Sequence, residues 1–149
     1  MGATNGVKRF EGKTGNIYHS SNIQAVIDVD GILDFTNSAE SGHDNNPEKP
    51  SPGRKWLGAS IKENLKLWRE ASPINYIGPN TAPMLFINSS VPRFHAGRDS
   101  VMHMMSKFHI YSEKHMLPGT IHTFWLFHPW FDETFDYVFN FLNKIFKLN

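Results

Sequence analysis

The sequence predicts an α/β domain, a parallel sheet with helices on its faces. Two observations carry this. At 149 residues with 40% hydrophobic content, the chain is the size of one domain and can fill a core. After residue 22, short apolar runs alternate with segments of helical period, in the order strand, loop and helix, strand, helix, strand, helix. Strands separated by helices pair in parallel through crossovers, because a helix between them carries the chain back along the sheet.

Taken in order, residues 1–21 are rich in Gly, Asn and Ser and read as a loop or a truncated leading segment. Ile23-Gln-Ala-Val-Ile-Asp-Val-Asp30 is a β-branched run ended by Gly31, as expected of a buried strand. Residues 36–55 carry Gly42, Pro47, Pro50, Pro52 and Gly53 among polar residues and read as a long loop. Ser60-Ile-Lys-Glu63 has the capping-box pattern and opens a helix through Leu65, Leu67 and Trp68, closed near Ser72-Pro73. Pro83 to Ser89 is the second strand. Residues 97–107 form a helix with Val101, Met104 and Met105 on one face, and a third strand spans about residues 110–117. Phe131 to Lys147 places Phe135, Val138, Phe139, Leu142 and Phe146 at three-to-four spacing, an amphipathic helix.

Composition removes several function classes. Lys+Arg number 15 against 14 Asp+Glu, so no net field draws nucleic acid or an anionic membrane. With no Cys there is neither a disulfide frame nor a thiolate nucleophile, and the compartment stays open. No apolar run is long enough to span a bilayer. Met1 to Arg9 has no apolar signal core and reads as a cut inside a larger chain. No His-x-x-x-His pair comes with a carboxylate partner, so neither a metal nor a cofactor is expected.

Four segments in fixed order carry a family resemblance: Gln24-Ala-Val-Ile-Asp-Val-Asp-Gly-Ile-Leu-Asp34, Glu70-Ala-Ser-Pro-Ile-Asn75, Ala82-Pro-Met-Leu-Phe-Ile-Asn-Ser-Ser90 and Pro118-Gly-Thr-Ile-His122. Their order and spacing over about residues 22–148 resemble the C-terminal half of α/β-hydrolase carboxylesterases, and more narrowly bacterial esterases that remove acetyl, methyl or feruloyl groups from xylan or pectin. The resemblance implies a partial α/β-hydrolase fold with three parallel strands, the last three of the usual eight. Residues 22–149 would then be the C-terminal part of one incomplete domain. It also implies that the Gly-x-Ser-x-Gly elbow and the oxyanion loop lie earlier. A periplasmic or secreted parent is implied by the same resemblance alone.

No serine in the chain replaces that elbow. Gly58-Ala-Ser60 lacks the second glycine and follows no strand, and helix capping explains Ser60 better. Ser89-Ser90 follows a strand but has no glycine for the strained turn.

His122 is the candidate base. Residues 108–130 read as a strand, a loop holding His122 and then an aromatic segment, which delivers the imidazole near the carboxyl ends of parallel strands. His103, His109 and His128 read as structural or solvated. For the acid, most relatives place an Asp about three residues past the strand that ends here at Ile87, yet Asn88-Ser-Ser-Val-Pro92 runs into Arg93-Phe-His-Ala-Gly97 with no carboxylate. Suspicion shifts to Asp30 at the end of the first strand, whose carboxylate would fix the tautomer of the histidine. Asp34, as a turn or helix cap, and Asp99, in the first turn of a helix, are its competitors.

Trp56, Trp125 and Trp130 lie on or beside these loops as candidate sugar-stacking faces, and Arg93 is a candidate contact for a uronic acid. Core packing competes for Trp125, and plain solvation competes for Arg93. Three functional readings result. The first is a fragment of a serine carboxylesterase acting on an ester-bearing saccharide, supplying base and acid without the nucleophile and inactive alone. The second is a non-catalytic saccharide-binding or assembly module on a hydrolase-like sheet. The third is a piece that self-associates through an open sheet edge.

Overall fold

The computed structural model describes residues 2–42 and 48–147. Three strands, β1 (Val26–Val29), β2 (Met84–Asn88) and β3 (Ser112–Met116), form one sheet in the order β1-β2-β3. Both pairings are parallel, Val26 facing Met84 and Met84 facing Ser112. The helices are α1 (Ser38–Ser41), α2 (Pro52–Leu57), α3 (Leu65–Ala71), α4 (Arg98–Lys107) and α5 (Trp130–Phe146).

Every residue of the central strand β2 is buried. Because side chains alternate across a sheet, Met84 and Phe86 go to one face and Leu85 and Ile87 to the other. The first pair packs with Leu33, Ile77, Val101 and Met105, so α4 covers that side. The second packs with Leu117, Phe124 and Phe141, which places α5 and the segment before it on the opposite side. Two cores share one strand, as a doubly covered parallel sheet requires.

The edges differ. β1 has only one strand neighbour and leaves Ile27 exposed, so the apolar run expected to be buried is an edge, and only four of its residues pair. β3 is polar, and its Lys114 and Glu113 reach Asp99 and Lys144 at 3.0 and 3.1 Å. Charge on an edge strand discourages further pairing, and β1 carries only one charged residue, the partly buried Asp28.

Several expectations need correction. The stretch 36–55 is not all loop: Asn37 caps α1, and Ser51 with Pro52 at the first turn starts α2, a favourable place for proline. Pro47 lies outside the described residues. The Ser60/Glu63 capping box forms, with the Ser60 N–H donating to Glu63 at 2.7 Å and the Glu63 N–H to Ser60 Oγ at 3.2 Å. It closes only a turn, and α3 starts at Leu65 with Asn64 as its cap. In α5 the five apolar residues do not share a buried face. Val138 and Leu142 pack on the sheet with Phe141, whereas Phe135, Phe139 and Phe146 are exposed.

The loops over the carboxyl ends of the strands are tied together through Gly97. Its φ of +86° is left-handed, and a Cβ there would fall 2.7 Å from Asp34 Cβ and 2.9 Å from the Asp34 nitrogen. That close approach lets the Ala96 carbonyl accept from the N–H groups of Leu33 and Asp34 at 2.9 and 3.0 Å. The loop after β1 is thereby fixed against the loop after β2.

Candidate active site

Asp30 follows the last paired residue of β1, and its N–H still donates to the Ile87 carbonyl at 3.0 Å. Its φ of +55° breaks the strand's alternation. A non-glycine residue in this region costs about 1 kcal/mol or more, and such strain collects at functional sites. The turn directs a buried carboxylate over the end of β2, where Oδ1 accepts the Ser89 N–H at 2.7 Å. Oδ2 lies 3.1 Å from His122 Nδ1, across 92 residues of sequence.

His122 arrives on the loop after β3. Thr120 Oγ1 donates to the Leu117 carbonyl at 2.6 Å, and the Gly119 N–H donates to Ser90 Oγ at 2.8 Å, pinning this loop to the end of β2. The imidazole stacks on Phe94 with centroids 4.1 Å apart and meets Trp125 edge-on at 5.1 Å. Phe94 is itself fixed, because its carbonyl accepts from Asn88 Nδ2 at 2.9 Å while Arg98 Nη1 donates to Asn88 Oδ1 at 2.9 Å. With Nδ1 held by Asp30 and the ring clamped, Nε2 has no hydrogen-bond partner among the described residues, and the side chain is 46% exposed. A neutral imidazole whose Nδ1–H donates to a carboxylate presents Nε2 as a proton acceptor, the arrangement of a general base.

The competing acids are engaged elsewhere. Asp34 Oδ1 accepts from both the N–H and the hydroxyl of Thr36 at 2.9 and 2.6 Å, a turn cap. Asp99 sits between Arg98 and Lys114, whose hydrogen bonds and charges hold its carboxyl down at about 2.

Asp28 stands behind the pair. Its Oδ1 accepts the Gly31 N–H at 2.6 Å, and a Cβ on Gly31 would collide with that carboxylate at 2.4 Å. Burial, with the nearby Asp30 charge adding to it, pushes the Asp28 carboxyl up to about 6, against the opposing Gly31 hydrogen bond and Arg98 charge. Between about pH 4 and 6 the folded state therefore holds more protons at this residue than the unfolded chain, so this contribution to stability is lost as pH rises. Asp28→Asn, which keeps an oxygen for Gly31, is expected to flatten that fall and raise stability at pH 7. Urea midpoints at pH 4 and 7 check it, and an unchanged difference between the two would refute the assignment.

The four candidate substrate contacts do not converge on one patch. Trp125 touches His122 while also packing on the α5 core, and Trp130, the first residue of α5, packs on that core. Trp56 and Arg93 share a separate hollow of about 270 Å³ with Phe35, Glu40, Pro52 and Gly53. Arg93 Nε lies 2.9 Å from Glu40 Oε2 of a carboxylate that is 1% exposed, so the arginine is already charge-paired. The contribution of Ser89, Phe94, Asn88 and Glu40 was not readable from the sequence. Asn88, Ser89 and Phe94 lie in the segment that lacks the expected acid, but nothing in that segment marks the roles they take. A second hollow of about 310 Å³, lined by Thr4, Phe10, Glu70 and Tyr76 among others, shares no residue with the His122 environment. No group of three or more metal-ligating side chains is assembled among the described residues.

Comparison with known proteins fits this geometry. The model of the BD-FAE family, an esterase-like domain, matches residues 1–102. The chain belongs to the BD-FAE family. The matched BD-FAE segment contains Asp30 and the loop with Phe94, and His122 lies beyond it. Among solved structures, a truncated form of a carbohydrate esterase from gut microbiota superposes with a TM-score of 0.64 at 21% identity, covering 92% of this chain and 53% of that one. A thermophilic esterase, Est2, from the Planctomycetes species Thermogutta terrifontis gives 0.60 at 20%, covering 91% and 47%. An acylaminoacyl peptidase gives 0.54 at 19%, covering 84% and 20%. No curated protein matches. This BD-FAE chain therefore has the α/β-hydrolase fold in part, with three parallel strands and flanking helices, and spans about half the length of the two esterases.

Proposed function

We propose that this chain supplies the base and the acid of a serine carboxylesterase acting on carbohydrate-linked esters, with the nucleophile outside these 149 residues. The observation that carries it is the Asp30–His122 pair at 3.1 Å, with Nε2 left without a hydrogen-bond partner among the described residues. In this reading His122 takes the proton of a serine as it attacks the ester carbonyl, then returns it to the leaving alcohol, and Asp30 stabilises the imidazolium between those steps. Water repeats the cycle on the acyl-enzyme. The bond cleaved would be an acetyl or feruloyl ester of a sugar hydroxyl, or a methyl ester of a sugar carboxylate that releases methanol, as in the family resemblance, and the gut-microbiota structure described as a carbohydrate esterase supports the saccharide side of the reading.

The three serines weighed as nucleophiles are each engaged otherwise, which supports an external one. Ser60 is buried in its capping box, Ser89 is buried with its N–H on Asp30, and Ser90 Oγ accepts from Gly119. The β1 edge, with Ile27 exposed, is also where further strands of a larger sheet would pair.

The 149-residue chain is therefore expected to show no labelling by a fluorophosphonate and no serine-dependent turnover of a chromogenic acetyl ester. Labelling of any serine in it would overturn the proposal. Ser60→Ala is expected to cost about 1 kcal/mol of stability as a lost cap, without altering either result.

A further inference from the structure

The hollow shared by Trp56 and Arg93 combines features that neither a core nor a plain surface requires. Trp56 is 69% exposed although it lies on a short helix, and its ring leans on Phe35 at 5.5 Å, which braces one face and leaves the rest in solvent. Opposite, Arg93 reaches Glu40 Oε2 at 2.9 Å, but its Nε–H is not aligned for a hydrogen bond, and Glu40 Oε1 also has no hydrogen-bond partner. Arg93 Nη1 and Nη2 have no hydrogen-bond partner among the described residues, and the side chain is only partly covered. A buried acid thus cancels the charge of Arg93 while leaving its terminal N–H groups to donate. Gly53 permits this burial, since a Cβ there would lie 3.0 Å from both Glu40 Oε1 and the Trp68 ring.

We infer that this hollow is a subsite for one neutral pyranose ring, held by stacking on Trp56 and by hydrogen bonds from Arg93 to its hydroxyls, and that Glu40 makes it refuse uronates. The inference rests on the saccharide reading of the proposed function and narrows it. A volume of about 270 Å³ falls just below the ~300 Å³ at which pockets begin to hold drug-sized ligands, which suits a single ring. Aromatic faces take the apolar face of a sugar. An unpaired guanidinium would favour a carboxylate bidentately, but one compensated by a buried carboxylate offers donors without net charge. The subsite connects to the candidate base through one aromatic ring. The Arg93 guanidinium lies 4.9 Å from the Phe94 ring centre, and the same ring stacks on His122 at 4.1 Å. A sugar in the hollow would stand one aromatic ring from the base.

The test is equilibrium binding to the 149-residue chain, with no ester present, using xylotetraose and tetragalacturonate and following Trp fluorescence and calorimetric heat. Xylotetraose is expected to bind with an affinity unchanged within twofold between 50 and 500 mM salt, and the uronate more weakly. Trp56→Ala is expected to weaken xylotetraose about tenfold, and Trp56→Phe to restore most of that loss. Glu40→Gln is expected to raise the ratio of uronate to neutral affinity at least tenfold by releasing the Arg93 charge. If that variant fails to fold, the salt dependence and the uronate comparison on the unaltered chain decide. Salt-sensitive, tighter binding of the uronate, binding of neither sugar, or an unchanged ratio in folded Glu40→Gln would overturn the inference. Because no turnover is read, failure here leaves the acid–base proposal standing. Failure of His122 in catalysis leaves the binding result standing.

Discussion

Asp30→Asn, in an esterase that joins this chain to a serine elbow, is expected to lower kcat by about 10³–10⁴-fold with KM within a few-fold. The reason lies in where the two oxygens of Asp30 go. Oδ1 is committed to the Ser89 N–H at 2.7 Å, so the asparagine must keep its oxygen there and turn its NH₂ toward His122. An NH₂ facing Nδ1 at 3.1 Å is satisfied only if Nδ1 becomes the acceptor, which moves the ring proton to Nε2. A histidine protonated at Nε2 cannot take a proton from the nucleophile. The variant therefore loses rate without losing the fold or the substrate, and nitrogen NMR of the imidazole should show the tautomer switch in the 149-residue chain itself. His122→Ala should cost at least as much, and the double variant no more than His122→Ala, since the two residues act as one unit. Turnover within a few-fold of the unaltered enzyme would remove Asp30 from the mechanism.

How much of this was legible beforehand depended on whether the signal was local. The strand order and α4 were read from period and β-branching, because those patterns are complete within ten residues. The distinction between Asp30 and its competitors was only half legible. Position at a strand end suggested Asp30, whereas the left-handed φ that aims it arises from tertiary fit and leaves no mark in the sequence. The engagement of Asp34 and Asp99 follows from Thr36, Arg98 and Lys114, two of them sequence neighbours and one 15 residues away. The Glu40–Arg93 pair was invisible for the same reason: 53 residues separate the partners, and each alone looks like an ordinary surface charge. A helix of four residues such as α1 also has too little length to show a period.

α5 shows the limit of periodicity and gives the largest expected effect on stability. Spacing alone puts Phe135, Val138, Phe139, Leu142 and Phe146 together, yet the helix turns a different arc to the sheet, centred on Phe141. Phe141 is 0% exposed, lies against Leu85 and Ile87 of the central strand, and stacks on Tyr111 at 6.2 Å. Removing its ring leaves a cavity between two rigid layers that cannot close, so Phe141→Ala is expected to cost about 3–5 kcal/mol. Phe139 is 53% exposed and, among the described residues, its ring stacks only on Phe135 of the same helix, at 6.1 Å. Its truncation forfeits a partly solvated contact, and the cost should stay under about 1 kcal/mol. Urea denaturation of both variants measures the difference directly. Equal costs would mean that α5 packs on the sheet through the face the sequence pattern suggested. Because α5 and the Phe124–Leu126 turn that precedes it share this core with Leu117, loosening Phe141 should also loosen the loop that carries His122. In an active esterase, Phe141→Ala is therefore expected to lower kcat below the denaturation midpoint, where most molecules are still folded. A variant with full activity and reduced stability would show that the His122 loop is held by its ties to Ser90 and Phe94 alone.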